Sequence, residues 1–311
     1  MSVSTRAAYG RELIELAKVN KDFVVVCADG HTCDLQDFEA LYPDRGCCVG
    51  IAEQNMMDIA AGLASCGNKV YLGTFGVFAS MRAVEQIRTF ICYPNLNVTI
   101  AGTHAGLQVG PDGATHMALE DVAIMRALAN MTVIQPSDEA SCRALVRWSL
   151  GFNKPLYIRL HRNPVLDVHD SNFEFELGKA YTLRDYGNDA TIMVTGILLK
   201  KAIDAGDELN KRGVHVKVIE IPTLKPMNED VVLESAGKTG AIVTVEDHNI
   251  IGGLGSAVAE ILSEKMPTPM KRIGVLDSYN QSGDPESLYA DNKMTPFDIA
   301  DAVQAVCAMK K

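Results

Sequence analysis

The alternation of short apolar runs with amphipathic stretches is the feature that most limits what this chain can fold into. Residues 24–26 are all valine, and runs that are apolar at every position are typical of parallel strands covered by helices on both faces. Between such runs the apolar residues recur with helical spacing, as Met56, Ala60 and Leu63 do at i, i+4 and i+7. The pattern therefore predicts an α/β fold with mostly parallel sheets.

The alternation occurs twice, which predicts two consecutive α/β domains over residues 1–166 and 189–311, joined by a linker over 167–188. The expected strands of the first domain are 23–27, 47–51, 69–73, 96–102, 131–135 and 155–160, and its helices are 5–19, 52–65, 78–92, 117–130 and 137–150. The expected strands of the second are 191–195, 214–219, 241–246 and 271–275, and its helices are 198–211, 229–236, 255–264 and 295–308. Within the linker, Phe173, Phe175 and Leu177 alternate with acidic residues and predict a strand, on the domain surface or in the linker itself.

Composition excludes some functions. The 311 residues carry a net charge of −10, and the lysines and arginines are scattered, so nucleic acid and anionic membranes are not expected partners. The eight cysteines form no CxxC pair and no zinc-like spacing. Because no signal-peptide pattern or long apolar span is present, we expect a reducing, cytoplasmic compartment.

Two short polar segments lie on either side of a pair of phenylalanines. Residues 49–56 have the sequence Val-Gly-Ile-Ala-Glu-Gln-Asn-Met, and residues 110–116 have Gly-Pro-Asp-Gly-Ala-Thr-His; Phe75 and Phe78 lie between them. In this order the segments resemble the pyrimidine-binding half of transketolase-like enzymes, which use thiamine diphosphate. The resemblance extends over the whole chain, as a pyrimidine-binding domain followed by the C-terminal domain of a transketolase.

The resemblance implies a cofactor pocket. Glu53 would bond the N1′ atom of the aminopyrimidine, since a carboxylate can hold or yield a proton according to its surroundings. Phe78 would stack on that ring and Phe75 would line the same pocket. Transketolases often carry a tyrosine three residues after the stacking aromatic, whereas this chain has Met81. The carbon–carbon chemistry itself would come from the cofactor.

The resemblance also implies how the substrate is held near residues 110–116, which we call the glycine-rich loop. His116 would face the reacting carbonyl and move protons, Asp112 would bond a substrate hydroxyl, and His104 would approach the far, often phosphorylated, end of the sugar. The carboxyl ends of parallel strands are where α/β proteins gather such side chains.

Two arginines match family positions that hold a substrate phosphate, Arg6 and Arg162. The planar fork of arginine can make paired hydrogen bonds to an oxyanion. Cys33 stands where several transketolases have a phosphate-binding serine, and a thiol is a poor donor. The neighbouring His161 is a candidate substitute donor.

The family's Gly-Asp-Gly motif with its following asparagine, which holds the diphosphate and a divalent cation, has no convincing counterpart here. Asp29, in Ala-Asp-Gly ahead of Asn55, is the chain's own candidate for cofactor contact but lacks the leading glycine. The loop at 110–113, ahead of Asn130, is already assigned to substrate. We therefore expect Mg²⁺ (or Ca²⁺ or Mn²⁺) to be bound by a separate N-terminal subunit that carries Gly-Asp-Gly, in an α₂β₂ assembly.

The favoured function is transfer of a two-carbon ketol unit from a ketose phosphate to an aldose acceptor. The alternatives are the β-subunit of a 2-oxo-acid dehydrogenase, an enzyme like deoxyxylulose-phosphate synthase, and a non-catalytic scaffold subunit. The loop at 112–116 favours transketolase or the synthase, and the synthase normally carries its domains in one chain. The joint presence of Glu53, Phe78, Asp112 and His116 argues against a silent scaffold.

Overall fold

Short buried strands alternate with helices along the whole chain, in a computed structural model that describes residues 3–28 and 32–310. The strands are β1 Phe23–Cys27, β2 Gly46–Cys48, β3 Lys69–Phe75, β4 Val98–Thr103, β5 Thr132–Ile134, β6 Leu156–Arg159, β7 Tyr181–Asp185, β8 Ala190–Val194, β9 Val216–Glu220, β10 Thr223–Lys225, β11 Ile242–Asn249 and β12 Met270–Val275. The helices are α1 Thr5–Ala17, α2 Leu35–Leu41, α3 Glu53–Ser65, α4 Val84–Gln86, α5 Asp121–Ala127, α6 Glu139–Ser149, α7 Leu199–Lys211, α8 Glu229–Thr239, α9 Leu254–Lys265, α10 Pro285–Asp291 and α11 Pro296–Cys307.

The strands form two sheets. The first has seven strands in the order β10-β5-β6-β4-β3-β1-β2, and the second has five in the order β12-β11-β8-β9-β7. Pairing is parallel except at one edge of each sheet, where β10 and β7 are antiparallel to their neighbours. All residues of β4 and β8 are buried, as expected when helices cover both faces. The predicted α/β fold with two mostly parallel sheets is confirmed.

The helical segment after β3 departs from a regular α-helix. We predicted one helix over 78–92, but the segment is a π-helical turn over Phe78–Arg82, the short α4, and a second π-helical turn over Ile87–Cys92. π-turns insert an extra residue per turn and occur often at functional sites. Here the first π-turn carries Phe78 and Arg82.

The prediction of a strand at 173–177 was wrong. The aromatic side chains of this segment pack against side chains outside it instead of alternating across a sheet. Phe175 is buried against Trp148, with ring centroids 5.0 Å apart, and Phe173 packs on His169 at 4.0 Å. The strand of this region forms a few residues later, as β7, and pairs with β9 of the second sheet. It lies inside the segment that we expected to be a linker.

The two sheets are connected by contacts that the local sequence pattern does not predict. β10 comes after β9 in the chain but pairs with β5 of the first sheet. One hydrophobic cluster runs without a break from Val70 of β3 to Val232 of α8 and Leu254 of α9. None of the described helices has both the length and the apolar character needed to cross a membrane.

Candidate active site

The candidate site lies at the carboxyl ends of β3 and β4. Phe75 ends β3 and pairs in register with Thr103, which ends β4. His104 follows with a left-handed backbone, φ 55°, which turns the chain away from the sheet. The two neighbouring strand ends therefore place the rings of Phe75 and His104 with centroids 4.2 Å apart.

Four of the predicted residues form one cluster of rings. His116 contacts Phe75 and Phe78 edge to face, with centroids 5.4 and 5.5 Å apart, and the two phenylalanines are 5.6 Å apart. With His104 they form a wall of aromatic and imidazole rings. The structure thus brings together residues that come from two strand ends and a loop.

The loop that carries His116 is held by the second domain. Gly106 has φ 71°, and a Cβ there would lie 2.1 Å from Asp247 Oδ2, so both conformation and space require glycine. Asp247 accepts a hydrogen bond from the backbone amide of Leu107, at 2.9 Å. Gly113, with φ 73°, makes the turn before His116. A residue of the second domain therefore anchors a loop that positions the site.

Glu53 opens α3 and is almost completely buried, at 2% exposed. Its Oε2 accepts a hydrogen bond from Arg82 Nη1 at 2.9 Å. The guanidinium of Arg82 also lies over the ring of Phe78, 4.1 Å from its centroid. We did not predict Arg82 from the sequence, although its position four residues after Phe78 on one helical segment was a usable signal.

His104 is held as a neutral imidazole. Burial, and to a smaller extent the charges of Arg6, Arg162 and His116, lower its pKa to about 3. Its Nδ1 is 3.0 Å from the Thr103 hydroxyl, which also reaches the Thr74 carbonyl at 3.3 Å. Since that hydroxyl has one proton to donate to Thr74, this arrangement favours Nδ1–H donating to Thr103 and leaves Nε2 as an acceptor.

Arg162 joins the glycine-rich loop to the end of β6. Its Nη1 donates to Asp112 Oδ1 and to the Val109 carbonyl, both at 3.0 Å. The charges of Arg6 and Arg162 both lower the pKa of His104. Asp112, predicted to bond a substrate hydroxyl, is held by one of these cations.

Cys33 and His161 are enclosed by protein. Cys33 is 1% exposed, a Cβ on Gly73 would lie 2.9 Å from its sulfur, and burial raises the pKa of its thiol. His161 is completely buried, and burial lowers its pKa well below the ordinary value. Asp29, the remaining cofactor candidate, lies outside the described residues.

A second polar cluster, which we did not predict, lies between the domains at the carboxyl end of β11. Arg159 donates through Nε to Asp121 at 2.9 Å, and both side chains are 0% exposed. Tyr157 donates to the same carboxylate at 2.7 Å. His248 of β11 comes within 3.9 Å of it, and burial lowers the pKa of that histidine to about 4. This cluster joins β6, α5 and β11.

The glycine-rich turn at 252–255 packs against the same cluster. Glu246 accepts hydrogen bonds from the amides of Leu254 and Gly255, at 2.7 and 2.8 Å. Burial raises the pKa of Glu246 to about 7, against the lowering effect of those amides and of Arg159. A protein carboxylate therefore holds the start of α9.

The chemistry of these side chains fits one end of a thiamine cofactor. A buried carboxylate beside a partly exposed aromatic face matches a heteroaromatic ring that exchanges a proton, and Glu53 and Phe78 supply those two features. His116 and neutral His104 line the adjoining wall.

Comparison with known proteins places the chain in a class. The pyrimidine-binding domain of transketolase matches residues 1–166, and the transketolase C-terminal domain matches residues 178–299. The chain belongs to the transketolase family, and membership implies dependence on thiamine diphosphate.

Several of the similar proteins are named as transketolase subunits. The 6-deoxy-6-sulfo-D-fructose transketolase subunit SqwH of Clostridium sp. is 40% identical, over 98% of this chain and 95% of that protein. An apulose-4-phosphate transketolase subunit of Phocaeicola vulgatus is 37% identical, over 93% of this chain and 92% of that protein. A solved split-gene transketolase, described as an inactive β4 tetramer, superposes with a TM-score of 0.91 at 43% identity and full coverage of both chains. The chain is thus a transketolase-family protein of the split, C-terminal type.

Proposed function

We propose that this chain is the catalytic C-terminal subunit of a two-chain transketolase, which transfers a two-carbon ketol unit from a ketose to an aldose acceptor. In this proposal residues 1–166 form the pyrimidine-binding domain, 167–188 the linker and 189–311 the C-terminal domain. The carrying observation is the convergence of Glu53, Phe78, His104 and His116 at one sheet edge. Similarity over nearly the full length of two named transketolase subunits supports it.

Glu53 and Phe78 would hold the aminopyrimidine end of thiamine diphosphate. When bound, thiamine diphosphate supplies a nucleophilic carbon for breaking and forming the carbon–carbon bond. Glu53 would hold or release a proton at its buried carboxylate. Phe78 supplies a flat apolar face.

His116 and His104 would act on the sugar. The Nδ1 of His116 is 2.9 Å from the Thr115 hydroxyl, which orients the imidazole and leaves Nε2 for a substrate oxygen. His104, neutral because of its lowered pKa, offers an Nε2 acceptor to a hydroxyl hydrogen. Asp112 would accept from a further hydroxyl. Together these groups would orient the sugar and move protons beside Phe75.

The substrate would carry an anionic group at its far end. The positive charges of Arg6 and Arg162 both act on His104 and would favour an oxyanion near it. The names of the similar subunits refer to a sulfonated sugar and to a sugar phosphate. Because Cys33 is enclosed and its thiol pKa is raised, we assign the anion to the arginines rather than to Cys33.

The assembly would need a partner. We propose that an N-terminal subunit with a Gly-Asp-Gly motif binds the diphosphate and Mg²⁺ and that the two chains form an α₂β₂ tetramer. The likeness to a split-gene transketolase supports separate chains.

The test is reconstitution from two purified chains. Ketol transfer from a panel of ketose phosphates and a sulfonated ketose should need both chains, thiamine diphosphate and Mg²⁺. Full activity of this chain alone would contradict the two-chain proposal. Assembly without transfer, but with release of CO₂ from 2-oxo acids, would favour a dehydrogenase-type β-subunit.

The other candidate functions have less support. This chain matches two subunits over nearly their whole length, and both are named as transketolases rather than as dehydrogenases or synthases. A scaffold subunit would have no use for a buried carboxylate next to two phenylalanines and two histidines. Glu53→Gln separates these functions, since it leaves a scaffold unaffected.

A further inference from the structure

The side chain of Arg82 contacts both residues that we assign to the cofactor ring, Glu53 and Phe78. Arg82 donates from Nη1 to Glu53 Oε2 at 2.9 Å, and its guanidinium carbon is 4.1 Å from the centroid of Phe78. Neither the sequence motifs nor the proposed function assigns Arg82 a role. The contact is therefore an observation that still needs an explanation.

The guanidinium reproduces the features that the site would recognise in an aminopyrimidine. It is planar, it donates a hydrogen bond to the carboxylate, and it stacks on an aromatic face. The ring and the guanidinium would need the same oxygen of Glu53 and the same face of Phe78. The two cannot occupy that position together.

The surroundings allow Arg82 to leave without disturbing the core. Its side chain is 47% exposed, whereas that of Glu53 is 2% exposed, so the arginine covers the carboxylate from the solvent side. Arg82 is the last residue of the first π-turn, where the helix is interrupted before α4. A rotation about its own side-chain bonds would suffice to uncover Glu53.

We propose that Arg82 is a displaceable cover of the cofactor pocket, which pairs with Glu53 in the free subunit and is expelled when the aminopyrimidine ring binds. This inference rests on the proposed function. In the free subunit Arg82 compensates a buried carboxylate that bonds no other side chain among residues 3–28 and 32–310. On binding, the ring takes over that hydrogen bond, and Arg82 moves to solvent. Part of the binding free energy of the cofactor is consequently spent on displacing Arg82.

The test measures cofactor affinity rather than turnover. Thiamine diphosphate is titrated by calorimetry, at saturating Mg²⁺, into the complex of this chain with its partner subunit. Removing the cover in Arg82→Met should tighten binding by about three- to tenfold, which corresponds to one partly exposed ion pair with a stacking contact. Arg82→Lys, which keeps the charge but loses the planar fork, should fall between the wild type and Arg82→Met. Arg88→Met is the matched control, because Arg88 is exposed on the same helical segment, and it should bind like the wild type.

The outcomes distinguish a failure of the Arg82 proposal from a failure of the proposed function. Unchanged or weaker binding in Arg82→Met, with normal binding in Arg88→Met, would overturn the cover and leave the proposed function standing. No binding to any of these complexes, including the wild type, would overturn both. Should Arg82→Met fail to fold, Arg82→Gln keeps a polar group over Glu53 and carries the same expectation. Addition of methylguanidinium to Arg82→Ala should weaken cofactor binding, as an external replacement for the lost side chain.

Discussion

Both sheets end in a cluster of titratable side chains at the carboxyl edge, but the two clusters differ in access. In the cluster at β3 and β4, Arg82 lies between Glu53 and solvent, and its side chain is 47% exposed. The rings of Phe78 and His116 in this cluster are only partly buried. At β11, Glu246, Asp247 and His248 are 1% exposed or less and face Asp121 and Arg159 of the other domain.

The difference shows how the same edge of an α/β sheet serves two purposes. In the first cluster Arg82, Phe78 and His116 are partly exposed and lie next to the buried Glu53 and His104. In the second, amides, a tyrosine and an arginine already bond the carboxylates. The first cluster is thus suited to chemistry, and the second holds the domains and the His116 loop in place. The following predictions test this division.

The largest effect on activity should come from Glu53→Gln. An amide keeps the size of the side chain but cannot exchange a proton with the cofactor ring, so turnover should fall by at least about 1,000-fold. Turnover is measured in the two-chain complex with saturating cofactor. The urea midpoint of the chain should change little; a variant with normal turnover would remove Glu53 from the chemistry.

The largest effect on stability should come from Arg159→Met in the second cluster. The substitution leaves the Asp121 carboxylate buried without its cation and should cost about 3–5 kcal/mol of unfolding free energy. Urea unfolding followed by circular dichroism measures this loss. Lys18→Met, which breaks an exposed pair with Glu15, is the control and should leave the urea midpoint close to that of the wild type. Equal losses in the two variants would contradict the buried pair's role as a clamp.

His116→Gln should give an intermediate effect on activity. It removes the imidazole beside Phe75 and Phe78 and should lower kcat by about 100-fold, while the urea midpoint stays close to that of the wild type. His215→Gln, an exposed histidine of the second domain, serves as the control. If His116→Gln lowered the urea midpoint but not kcat, His116 would have a structural role, like the residues of the second cluster.

The smallest net effect should be a pH dependence of stability, because two histidines and one glutamate contribute with opposite signs. The pKa of His104 is about 3 and that of His248 is about 4 in the folded chain, below the ordinary 6.5, so the unfolded chain binds more protons as pH falls below 6.5. Each histidine should therefore remove about 1 kcal/mol of unfolding free energy per pH unit between 6.5 and about 4.5.

Glu246 opposes this trend, because its folded pKa of about 7 lies above the ordinary 4.5. Its contribution is complete below pH 4.5 and is lost as pH rises toward 7. Urea titrations at several pH values in His104→Gln and Glu246→Gln should show a shallower acid loss in the first and a steeper one in the second. Identical pH profiles in both variants would contradict these assignments.

The sequence predicted the elements with strong local patterns. The buried runs at β1, β3 and β6 and the amphipathic α3 and α7 occur close to the expected residues, because their periodicity reports burial directly. The short elements α2, β7, β10 and α10 were missed. A three-residue edge strand such as β10 has too few residues for a periodic signal, and its partner β5 is distant in the chain.

The sequence by itself determined the fold class, through its periodicity, and showed the resemblance to the transketolase family, through the segments at 49–56 and 110–116. From that resemblance it also predicted Glu53, Phe75, Phe78, His104 and His116 as site residues. Tertiary structure alone decided that Arg82 covers Glu53, that Asp247 holds the loop of His116, and that Asp121 and Arg159 clamp the domains. Each of these contacts joins residues that are far apart in the chain or on different elements. Their free energy depends on distance and burial, which no local pattern encodes.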